Sequence, residues 1–168
     1  MYIRRAIKRG ALIVGIVWLA LSVEILFLNV VFPSKTDNDA IPMVMSYLGI
    51  FAALYLTGML AARDGTSRAG QILAGLTAGV MIGALLVATF AIVDNVWLDV
   101  VSQQQTNIDG FAHSDAVSMR DYINHNLIGP AVFFTIVFGA VGAMLGGLGG
   151  LAGHKAAAPP PIGRKRPT

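Results

Sequence analysis

Residues 16–31 read IVWLALSVEILFLNVV. Fifteen of these sixteen residues are uncharged, and Glu24 is the exception. A bilayer's hydrocarbon core is about 30 Å thick and a helix rises about 1.5 Å per residue, so about 20 mostly apolar residues make a span. The run extends from Ala11 to Phe32 with no second charge, and Pro33 ends it. It is longer than the apolar region of about 7–15 residues in a signal peptide, so an uncleaved first span is expected.

Three further stretches are equally apolar. One runs from Met43 to Ala62, with Pro42 at its start, where a missing N–H costs nothing. The others run from Ala69 to Val93 and from Leu127 to Leu151. The predicted fold is an all-α integral membrane protein, a bundle of four transmembrane helices within residues 11–153. Residues 1–10 form a basic N-terminus, and the Pro-rich basic tail 154–168 is expected to be disordered.

Composition agrees. Of 168 residues, 55% are hydrophobic and 12% charged, with a mean hydropathy of +0.69. Soluble domains carry about 25% charged residues. The absence of cysteine excludes disulfides, Cys-type zinc sites and thiol nucleophiles.

The net charge of +3 is a matter of topology rather than a nucleic-acid surface. Arg4, Arg5, Lys8, Arg9, Arg63, Arg68, Lys155, Arg164, Lys165 and Arg166 fall on one side of the four spans. Only Lys35 and Arg120 fall on the other. Positive loops stay cytoplasmic, which predicts that both termini are inside. The acids partition oppositely: Asp64 is inside, and Asp37, Asp39, Asp94, Asp99, Asp109, Asp115 and Asp121 are outside. The expected location is a bacterial plasma membrane. The expected partners are the lipid bilayer, with basic ends against anionic headgroups, and a second copy or another membrane subunit.

The loops are unequal. RDGTSR (63–68) is a tight turn, so the second and third spans form a hairpin. The outer segment 94–126 is long. Its start, DNVWLDVV, would continue the third span as an interfacial turn with Trp97 at headgroup level. SQQQTNIDG reads as loop. SDAVSMRDYINHN reads as a short amphipathic surface helix, with Ser114 as N-cap and Ala116, Met119, Ile123 and Leu127 at helical spacing.

Glycines recur four apart. Gly75, Gly79 and Gly83 mark one face of the third span; Gly142, Gly146 and Gly150 mark one face of the fourth. Gly139, Gly147, Gly149 and Gly153 add small surface. Lipid supplies no hydrophobic drive between helices, so close backbone approach provides much of their association. Glycine-zipper packing of the third span on the fourth, or of either on a second copy, is expected.

An ionised Glu24 within a span costs about 2.5–3.5 kcal/mol on insertion scales. It must pair with a cation or take a proton and act as a neutral hydrogen-bonding group. No span contains Lys, Arg or His. Glu24 lies eight residues in from Phe32, and counting to the same depth on the other spans points to Tyr47, Tyr55 and Thr135 as partners, with Thr89 nearest on the third. Three roles compete: a structural tie, a bond to a partner subunit, or a proton or ion site in transport.

This layout resembles that of small multidrug transporters, four-helix membrane proteins with one essential Glu in the first helix. The likeness is to the layout alone. The present chain is longer, with a large outer segment, a basic tail and a strong charge bias. No residue role carries over.

His113, Asp115, Asp121 and His125 are weak metal candidates, with Asp121 and His125 four apart on one helix face. The bland alternative is a solvated helix with an i,i+4 pair. Asn29, Ser22, Trp18 and Tyr47 read as packing or interfacial residues. No phosphate loop, HExxH or GxSxG occurs. The expectation is therefore a non-enzyme without a cofactor: a structural, assembly or accessory subunit packing through glycine faces, or a small proton- or cation-coupled transporter or channel-like protein using Glu24.

Overall fold

The computed structural model describes residues 2–33 and 40–157, all of whose regular structure is helical. The expected outer loop after Pro33 and the tail from residue 158 onward lie outside the described residues. Helix α1 spans Tyr2–Leu26 and continues as a π-helical turn, Phe27–Val31. Helices α2 (Ala40–Arg63), α3 (Arg68–Val96) and α7 (Ile128–Ala157) complete a bundle of four long helices. All four are long and apolar enough to cross a membrane.

Each helix runs past its predicted span at one end or both. Thus α7 carries six residues beyond Leu151, so residues 154–157 of the expected tail are helical.

The tight turn forms as RDGTSR predicts. Gly65 has φ +78°, a left-handed conformation that glycine adopts without strain. Thr66 N–H bonds Ala61 O and Gly65 N–H bonds Ala62 O, which closes α2 in a Schellman motif. Ser67 then caps α3 by accepting from Gly70 N–H.

Helix α3 packs centrally, against α7 on one side and α1 on the other. Val14, Leu21, Ile50, Leu54, Ala78, Ile82 and Phe138 form the core, with residues from all four long helices. At the α3–α7 seam the backbones touch. A Cβ on Gly75 would fall on the Gly142 carbonyl, one on Gly79 on the Phe138 carbonyl, and one on Gly83 2.8 Å from the Phe134 carbonyl. Gly58 of α2 abuts the Gly146 backbone, and Gly149 abuts the Tyr55 backbone.

Polar contacts gather at one end of the bundle. Arg9 and Asp64 form an ion pair at 2.7 Å. Gln71, fully buried, donates to Thr66 O and contacts His154 Nε2 at 2.8 Å. The start of α1, the α2–α3 turn and the end of α7 therefore share that end.

The other end carries a cap of short helices: α4 (Leu98–Val101), α5 (Gln105–Ala112) and α6 (Met119–Asn126). Three expectations are corrected here. SQQQTNIDG is loop only over residues 102–104, and the rest belongs to α5: Gln105 bonds Asp109 four residues on at 2.8 Å, and Phe111 packs edge-on to Tyr122 of α6 at 6.1 Å, which holds α5 helical. The N-cap of the surface helix is Ser118, not Ser114. Ser118 is extended and accepts from Asp121 N–H, while Ser114 donates to Phe111 O and closes α5. Trp97 interrupts α3 rather than extending it, with φ −112° and ψ 39°.

Substituting Gly79 by Ala should destabilise the protein by about 1–3 kcal/mol, since the new methyl meets backbone that must move. Gly15→Ala, where a Cβ meets nothing within 4 Å, should be neutral or slightly stabilising. Reversible unfolding in detergent measures both; equal effects would refute the seam's importance.

Candidate functional site

Glu24 lies on the α1 face turned toward α2. Its Oε2 accepts a hydrogen bond of 2.6 Å from Ser46 Oγ. The expected partners are arranged differently. Tyr47, the next residue, lines the same cavity, with its ring 6.1 Å from that of Phe138. Tyr55 lies two turns further along α2, its backbone against Gly149. Thr135 backs onto Gly83 in the α3–α7 seam. Thr89 bonds elsewhere, with Trp18 Nε1 and Ser22 Oγ converging on its hydroxyl at 2.9 and 3.1 Å. Thr89 itself donates to Leu85 O, so Ser22 is the donor to Thr89. This triad ties α1 to α3.

Sequence counting missed Ser46 for two reasons. Helix α2 begins at Ala40, three residues before the hydropathic span. The π turn at Phe27–Val31 is wider and advances less per residue, so Glu24 sits nearer the cap end of the bundle than α-helical counting gives.

All four long helices line the cavity at Glu24, whose volume is about 330 Å³. This is at the lower end of the range of about 300–1,000 Å³ typical of ligand pockets. Helix α1 contributes Leu21, Glu24 and Ile25, and the π turn that follows it Leu28 and Asn29; α2 contributes Met43, Ser46, Tyr47 and Ile50; α3 contributes Leu86 and Phe90; α7 contributes Phe134 and Phe138. The wall is apolar and aromatic, and among the described residues no donor reaches the second carboxylate oxygen of Glu24. An apolar chamber with one acidic group suits a ligand with an apolar body and a single hydrogen-bonding or positively charged head.

The metal candidates of the cap fare differently. Asp115, Asp121 and His125 border a hollow of about 360 Å³ with Tyr122. Asp121 Oδ2 accepts from Val117 N–H, and His113 Nδ1 is bonded to Asp109 O. Among the described residues no three such side chains are placed to hold a metal ion.

The chain matches no protein-family model, no curated protein and no solved structure. Function is therefore read from this chain's own geometry.

Replacing Ser46 by Ala should shift the infrared bands of the Glu24 carboxyl group and cost about 1 kcal/mol, within the range measured for interhelical hydrogen bonds in membranes. Thr135→Val and Tyr55→Phe should leave those bands in place. A shift with either of these and none with Ser46→Ala would contradict the geometry.

Proposed function

We propose that this chain is a multi-pass integral membrane protein with both ends in the cytoplasm, serving as a small transporter whose Glu24 chamber receives an amphiphilic cation, with the proton as competing occupant. The observation that carries this reading is the chamber itself: an acidic side chain facing a half-open cavity walled by all four long helices. A structural tie between α1 and α2 needs only two hydroxyls and no cavity. The orientation follows from the basic residues, ten of twelve on the side of the termini.

The chemistry of the wall supports a cation. The rings of Tyr47, Phe90, Phe134 and Phe138 border the chamber. A desolvated cation over an aromatic face gains about 2 kcal/mol. A carboxylate neutralises a buried positive charge that would otherwise be prohibitive. The remaining apolar wall accommodates the ligand's body.

The accessory-subunit reading draws on the outer segment and on glycine faces as contacts for partners or a second copy, and the glycine part is the one the structure bears on. The seams argue against it, because Gly75, Gly79, Gly142 and Gly146 already meet backbone of their own chain.

The test is equilibrium dialysis of radiolabelled benzyltrimethylammonium against the purified protein in lipid nanodiscs. The expected result is saturable binding that weakens at least tenfold, about 1.4 kcal/mol, in Glu24→Gln. Saturable binding untouched by a folded Glu24→Gln variant, or no saturable binding at all, would refute the chamber's role and return Glu24 to a structural one.

A further inference from the structure

A second cavity of about 190 Å³ lies between the end of α3 and the cap. Asp94, Gln104, Asn107 and Asn126 give it a polar lining. Asn29 and Phe90 border both this cavity and the Glu24 chamber, so these two side chains form a shared wall.

The chemistry of the outer cavity favours positive charge. Asp94 stands in the last turn of α3, where carbonyls without helical partners carry partial negative charge. That turn contains no basic residue. Arg120, the cation on the neighbouring helix, donates to Asn95 Oδ1 at 3.1 Å. The amides of the lining bond one another and the backbone: Asn107 Nδ2 donates to Val101 O at 2.9 Å and to Gln104 Oε1 at 3.4 Å, Gln104 Nε2 to Asn29 Oδ1 at 3.4 Å, and Asn29 Nδ2 to Ile25 O at 2.9 Å. Asp94 is the one charged group in the lining. A divalent ion would call for more carboxylates; an ammonium group does not.

The shared wall includes an irregular turn. Asn29 sits inside the π-helical turn, an irregularity common at functional sites. Its link to Gln104, at 3.4 Å, is long for a hydrogen bond and correspondingly weak.

We infer that the outer cavity is a separate cation site, an antechamber in which Asp94 holds the ammonium head of an amphiphilic cation before it passes Asn29 and Phe90 to reach Glu24. This rests on the reading of the Glu24 chamber as a cation site.

The experiment follows the side-chain amide NMR signals of Gln104 and Asn107 in nanodiscs during titration with benzyltrimethylammonium. Glu24-dependent binding is measured in parallel by dialysis. The signals should shift in the wild type and still shift, in a single phase, in Glu24→Gln. In Asp94→Asn, verified as folded by an unchanged unfolding transition, the outer shifts should vanish while Glu24-dependent binding persists. Outer signals that respond equally with and without Asp94, or never respond while Glu24-dependent binding persists, would overturn the antechamber and leave the chamber standing. Loss of Glu24-dependent binding in the wild type would sink both.

Discussion

The contact of the α3 backbone with that of α7 is the constraint on which the rest of the bundle depends. In lipid, no water is released when helices meet, so adhesion comes from dispersion and from how closely the axes approach. Gly75, Gly79 and Gly83 remove the side chains that would hold α7 away, and Gly142 and Gly146 do the same from the other side. Helix α2 joins through Gly58 and Gly149. Three helices are thereby drawn into close contact along the half of the bundle that holds the α2–α3 turn.

The same tightness leaves the opposite half looser. There α1 joins the bundle through larger side chains and through polar ties, Trp18 and Ser22 to Thr89 and Glu24 to Ser46. Large aromatic residues replace glycine on the facing surfaces, with Tyr47, Phe90, Phe134 and Phe138 around open space. The chamber lies beside the glycine seam: Phe138 and Phe134, whose backbones meet Gly79 and Gly83, also line it.

The cap adds a second compartment. Its amides reach down to Asn29 in the π turn, and its short helices stand over the end of α3. Polar and apolar groups share the outer cavity, whereas apolar ones dominate the inner.

Much of the architecture was legible in the sequence. Four apolar runs, the RDGTSR turn and the glycine spacing are local or periodic signals. Each reports what one segment does with its own residues, and hydropathy, turn chemistry and an i,i+4 repeat are enough to read them. Only the tertiary structure decided which side chain meets Glu24, that Gln105–Ala112 is helical, and that Ser118 rather than Ser114 caps α6. Partnership across helices depends on axial stagger and rotation, and a shift of one residue turns a helix by about 100°. Depth counting pointed to Tyr47, Tyr55 and Thr135, and the hydroxyl that meets Glu24 is that of Ser46. The cavities belong to the same class of fact, because empty space is a property of several helices at once and no single segment encodes it.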